Sequence, residues 1–216
     1  MYKDKIVACD KKIEERLSSF EDCLLIKEPK QNEIPASRKS NSHCKNALSF
    51  DAKAHLIRIT GVDLTAIPGI EASSALKIVS EIGFDLSRWK SSKEFASWLG
   101  LCPGNKVSGG KRVRGRSKRT ANYVASALRI AASTLHRSES ALGAFFRRLR
   151  LRLGAPKATT AAAHKMGRII FDMLSQHTEY HDLGQDYYEK QYRERMIKGL
   201  SFRAKMLGFT LVEAAC

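Results

Sequence analysis

Between Pro103 and Arg119 the chain reads PGNKVSGGKRVRGRSKR, and this run limits the fold more than any other segment. Lys106, Lys111, Arg112, Arg114, Arg116, Lys118 and Arg119 stand in it with no acidic residue among them. Like charges so close repel one another and resist removal from water, so the run is excluded from a packed core. The core must be built on either side of it, and the run must be displayed at the surface. There it attracts phosphate and releases condensed counterions on meeting a polyanion. One hydroxyl, Ser108, sits inside it on a turn supported by Gly109 and Gly110.

The rest of the chain can supply such a core. It has 216 residues, 43% of them hydrophobic, and a formal charge of +16. This composition is that of a folded protein with an anionic partner, either nucleic acid or a charged surface. No apolar run approaches the roughly 20 residues that span a bilayer, and the first residues lack a signal peptide's apolar centre. Cys9, Cys23, Cys44, Cys102 and Cys216 are odd in number and scattered without a CxxC pair. They read as reduced thiols of a cytoplasmic protein with no metal site, not as a disulfide framework.

Helical periodicity dominates. From Lys3 to Leu25, Ile6, Ile13, Leu17, Phe20 and Leu24 form a narrow seam, interrupted by Asp10. Residues 1–27 are read as an amphipathic, coiled-coil-like connector helix, packed either on its own domain or on a partner. Residues 28–55 read as a linker rich in Lys, Ser and Asn with Pro29 and Pro35. Residues 56–216 form the main domain. Within it, LTAIPGIEASSALKIVSEIG suggests a short helix ending before Pro68, a turn at Gly69, and a second helix stopping at Gly83. Such a helix-hairpin-helix-like element leaves backbone N–H groups around Pro68, Gly69 and Ile70 to meet a phosphate, or else is an ordinary corner. Phe84 to Leu101 reads as one further helix. Its Trp89 and Trp98 suit core packing better than base stacking.

Beyond the basic run, Ala121 to Leu135 and Lys157 to Leu174 read as alanine-rich helices. Leu142 to Leu153 is a helix with a cationic face that includes Arg147 and Arg148. The remainder is a mixed-charge tail, helical in its last stretch. Strand signals are confined to Lys106–Val113, turning at Gly109-Gly110. The expected fold is mainly α. His177 and His181 suit one helix face, but no third ligand is spaced with them.

Taken together, LTAIPGI…ALKIVSEIG, FASWLGLCPGNKVSGGK, ALRIAASTL, LGAFFRRLRLRLGAPKATTAAAHK and the tyrosine-rich stretch from Tyr187 resemble the C-terminal domain of the IS110/IS116/IS902 transposases. The resemblance runs from about Leu56 to the end. It implies DNA transposition, a form of DNA recombination by a bacterial mobile element (an insertion sequence). It further implies that Ser108, in VSGGK, is the nucleophile attacking a DNA phosphodiester. Four acidic residues of an N-terminal RuvC-like domain would bind divalent metal, Mg in expectation, and a structured RNA would act as guide. On this resemblance the chain is expected to be a truncated or interrupted copy, or one half of a split protein, inactive alone.

Chemically, VSGGK gives a small hydroxyl on an open loop, with Lys106, Lys111 and Arg112 as phosphate-holding cations. A serine in a Gly-rich loop is also an ordinary turn residue. No acidic residue stands near it in sequence, and His136, Glu139 and Asp172 have no spacing that marks a general base. Three readings follow: the catalytic-serine half of a strand-transfer enzyme; a DNA- or RNA-binding fragment without chemistry; or a chain that joins itself or a full-length transposase. Nucleic-acid contact is expected at Pro68, Gly69, Ile70, Lys106, Gly109, Gly110, Lys111, Arg112, Arg114, Arg116, Lys118, Arg119, Arg147 and Arg148.

Overall fold

A computed structural model describes residues 2–23, 48–115 and 122–212, with residues 105–108 and 111–115 described by their backbone. Eight α-helices and one two-stranded hairpin are present among the described residues. In chain order they are α1 (Tyr2–Ser18), α2 (Ala52–Thr60), α3 (Ala72–Ile82), α4 (Ser92–Trp98), β1 (Gly104–Ser108), β2 (Lys111–Gly115), α5 (Tyr123–Thr134), α6 (Ala141–Leu153), α7 (Ala155–Gln176) and α8 (Gly184–Met206). The mainly helical expectation therefore holds. No helix among the described residues is long and apolar enough to cross a membrane.

The core is organised around α7, against which α4, α5 and α6 all pack. Its sequence explains why three neighbours fit. Ala158, Ala162, Ala163, Met166 and Ile170 are all fully buried. Small side chains at 158, 162, 163 and 167 let the neighbouring backbones come close, and alanine loses no side-chain entropy in a helix. A second layer follows, with α3 on α5 and α8 on α6. At the centre Phe95 meets Trp89, Trp98 and Phe171 at ring-centroid distances of 5.0, 6.0 and 5.5 Å. Trp89 is buried and Trp98 half-buried against the core, so both serve packing.

Several boundaries differ from the sequence reading. Phe84–Leu101 is not one helix; α4 begins only at Ser92, because the Ser91 hydroxyl accepts from the Glu94 N–H at 3.4 Å. Glu94 reaches back to the Lys90 N–H at 3.0 Å, a capping arrangement that fixes the start. Before it, Asp85 ties a turn by accepting from the Ser87 N–H. Helix α7 begins two residues early, since Pro156 is tolerated in a first turn where its missing N–H has no partner to lose. The tail is helical throughout Gly184–Met206 rather than only at its end.

The N-terminal helix also departs from its seam. Ile6 and Ile13 are exposed while Leu17 is buried. Asp10, which interrupts the seam in sequence, is 7% exposed and accepts from the Ser49 N–H at 3.0 Å. The helix is held at its C-terminal end by Arg58 of α2. That guanidinium donates to the Leu17 and Phe20 carbonyls at 2.7 and 2.9 Å and pairs with Asp22. A cation on the last carbonyls of a helix is a natural stop. Residues 24–47, most of the predicted linker, lie outside the described residues, and α2 begins at Ala52, before the boundary drawn at 55/56.

Candidate nucleic-acid interface

The hairpin of β1 and β2 is built by its turn. Gly109 and Gly110 have φ of +57° and +73°. Two consecutive positive φ values match the twist of a two-residue antiparallel loop, and glycine adopts them without steric cost. The tight turn fixes the register: Ser108 pairs with Lys111, Val107 with Arg112, Lys106 with Val113, and Asn105 with Arg114. Strand residues alternate faces, and directly paired residues share one. Lys106, Ser108 and Lys111 therefore belong to one face of the hairpin, and Arg112 and Arg114 to the other. The sequence presents these cations as a single run; the register divides them. Arg116, Lys118 and Arg119 lie outside the described residues.

The Pro-Gly turn is more committed to packing than its sequence suggests. Its first arm is a single 3-10 turn, Leu64–Ala66, started by Asp63, whose carboxylate accepts from the Thr65 N–H at 2.9 Å. Hydrogen bonds from Thr65, with Lys53 at 2.9 Å, hold the Asp63 carboxyl below its usual range against the opposing effect of burial. Ile67 is then extended, with ψ of 124°, as a residue preceding proline must be. Ile70 is buried, and its N–H donates to the Ile67 carbonyl at 3.1 Å, so neither its side chain nor its N–H is free for a ligand. Gly69 (φ +87°) lies against the end of α5, where an added Cβ would stand 2.8 Å from the Ala131 carbonyl oxygen. Gly69→Ala is expected to lower the unfolding free energy by about 1–3 kcal/mol, read from a denaturant midpoint at unchanged slope. What this corner leaves open is the first turn of α3, which has no side-chain cap at Glu71.

Arg147 and Arg148, assigned to nucleic acid from sequence, have partners inside the protein. Arg147 donates to the Ser138 carbonyl at 2.6 Å, the His136 carbonyl at 3.3 Å and the Gln185 side-chain oxygen at 2.5 Å. It thereby joins the loop before α6 to the start of α8. The Arg148 guanidinium lies 3.3 Å from the ring centroid of Tyr192 on α8. Nearby, Phe145 meets Tyr188 edge to face at 6.2 Å. The Lys165 ammonium of α7 stands 4.4 Å from the Phe145 ring and 5.9 Å from that of Tyr188. Sequence reasoning missed Lys165, Tyr188 and Tyr192 as a set. Their signal was present in the helical spacing of the tail, with 188, 191, 192 and 195 on one face.

No divalent-metal site is formed by these residues. Helix α7 ends at Gln176, and His177 takes a left-handed conformation with Nδ1 3.2 Å from the Thr60 carbonyl oxygen. His181 falls in the following irregular segment, so the two histidines do not share a helix face. Among the described residues no group of three or more His, Cys, Asp or Glu could hold a metal ion. The divalent metal implied by the family resemblance belongs to the acidic residues of a RuvC-like domain, and the groups described in this domain do not offer it a ligand set.

Comparison with known proteins gives the site its context. Residues 61–147 match the model of the transposase IS116/IS110/IS902 family. The match runs from the end of α2 into α6 and includes the Pro-Gly corner, the hairpin and Ser108. No match to a curated protein was found. Residues 61–147 thus resemble a domain of the IS116/IS110/IS902 transposase family, and transposition is the function that this likeness supports.

Proposed function

We propose that this protein binds DNA through the β1–β2 hairpin and that Ser108 is the nucleophile of a phosphodiester strand transfer. The observation carrying the reading is the register: Ser108 ends β1 beside the two-glycine turn, with Lys106 and Lys111 on its own face. In the step, Ser108 Oγ forms a bond to phosphorus while one bond from phosphorus to a sugar oxygen breaks. The hydroxyl proton ends on the released sugar oxygen. The number of phosphoester bonds is unchanged, so the strand is held covalently and can be passed to another sugar hydroxyl by the reverse reaction. Lys106 and Lys111 hold the non-bridging oxygens, where negative charge concentrates as phosphorus gains a fifth oxygen. Arg112 and Arg114, on the other face, bind neighbouring phosphates and set affinity. The protein acts in the cytoplasm with DNA, a structured guide RNA and either a second copy or another transposase chain. The exposed Ile6, Val7 and Ile13 of α1 offer such a chain an apolar edge.

The binding half of the reading is tested by titrating fluorescent duplex DNA at several salt concentrations. Log affinity should fall linearly with log salt, and Arg112→Ala/Arg114→Ala should flatten the slope by about 2. An unaltered slope in that variant contradicts the hairpin interface. Retained binding without any covalent product would leave a nucleic-acid-binding module in place of an enzyme.

A further inference from the structure

Helices α6, α7 and α8 bring together four cations with no carboxylate partner among the described residues. Arg148 and Arg152 are one turn apart on α6, on the face that carries Phe145. Lys165 comes from α7 and Arg195 from α8, the latter one turn beyond the Tyr188–Tyr192 pair. The ion pairs found among the described residues involve Lys53, His55 and Arg58, and none involves these four. Helix α6 contains no acidic residue, and the acidic residue of α7, Asp172, is two turns from Lys165. On α8, Asp186, Glu189 and Glu194 fall on other faces than Tyr188, Tyr192 and Arg195 at 100° per residue. Burial and the charge of Arg195 both push the Lys165 ammonium below the ordinary lysine range.

The packing holds these cations in position. Arg148 is stacked on Tyr192, Lys165 stands over Phe145 and Tyr188, and Arg195 donates to the Gln191 side-chain oxygen at 2.9 Å. Aromatic faces attract cations through their quadrupole without neutralising them. The charge is therefore fixed in place and left uncompensated, at a cost in mutual repulsion that a bound polyanion would relieve. Arg152 and Arg195 remain exposed at the edge of the seam.

We propose that the α6–α8 seam is a second nucleic-acid surface, gripping a phosphodiester backbone through Arg152 and Arg195 with Arg148 and Lys165 behind them. It lies beyond residue 147, outside the segment that matches the family model. The proposal rests on the reading of the protein as a nucleic-acid binder and does not depend on the chemistry of Ser108. DNA and RNA share the ligand chemistry, so both are tested.

The full chain is titrated with a duplex DNA and a duplex RNA of equal length across a salt series. Arg152→Ala/Arg195→Ala, which leaves the stacked Arg148 and Lys165 in place, should retain the wild-type circular dichroism spectrum. It should flatten the salt slope by about 2 and weaken binding about 30-fold at 150 mM salt. Charge reversal at the same positions should weaken it further. Lys3→Ala/Lys5→Ala removes equal charge from α1 and should change little. Loss with DNA alone, RNA alone or both supports the seam and names its ligand. Unchanged affinity and slope with both duplexes, or an equal loss from the α1 control, overturns it. If only the hairpin variant loses binding, the seam fails and the proposed function stands. If only the seam variant does, the hairpin reading fails instead.

Discussion

Ser108→Ala is expected to abolish the covalent protein–DNA adduct while leaving DNA affinity within about two-fold of wild type. This is the expected result in a reaction holding DNA, guide RNA, Mg²⁺ and a RuvC-like acidic domain. The asymmetry follows from the division of labour proposed for the hairpin. Affinity for a polyanion comes from the cations, and alanine removes none of them. Covalent capture needs an oxygen that can bond to phosphorus, and alanine has none. The substitution should also spare the fold, because residue 108 contributes its backbone to the pairing with Lys111 and any residue of similar size can do so. Trapping on a denaturing gel reads the adduct, and anisotropy reads the affinity. An adduct of unchanged yield in Ser108→Ala ends the assignment. Loss of adduct together with loss of affinity would point to a damaged hairpin rather than a missing nucleophile.

The second large effect concerns stability. Phe95→Ala is expected to cost about 3–5 kcal/mol, which for a chain of this length lowers the melting temperature by about 6–20 °C. Phe95 is fully buried and touches three other aromatic rings, tying α4 to α7. Removing it opens a void that rigid neighbours such as Trp89 and Phe171 cannot collapse to fill. The buried Leu99 and Leu101 connect this centre in sequence to β1. Thermal unfolding followed by circular dichroism checks the effect. A loss below about 1 kcal/mol would show that the aromatic cluster is peripheral to folding.

Much of this architecture is legible from local signals. The Gly109-Gly110 pair marks the hairpin because only a primed turn requires two positive φ values in succession. The alanine periodicity of α5 and α7 marks helices that neighbours approach closely. The division of the cations between two faces could also have been read from sequence, since a two-residue loop fixes the register and alternation does the rest. Other features depend on distant partners. Arg147 and Arg148 look like a free cationic face until Gln185 and Tyr192, some forty residues on, occupy them. Asp10 looks like a flaw in an apolar seam until the Ser49 N–H reaches it. Ile70 reads as part of an open turn, but tertiary packing buries its side chain and the turn uses its N–H. For Arg147, Arg148 and Asp10 the group is satisfied by a segment that no short window contains.

Locating the protein–DNA bond decides whether the hydroxyl of Ser108 carries the strand. The trapped adduct would be digested with nuclease and protease and the nucleotide-bearing peptide sequenced by mass spectrometry. The nucleotide remnant should sit on Ser108 within the hairpin peptide. A remnant on any other residue, or strand cleavage with no remnant on the protein, would contradict the claim.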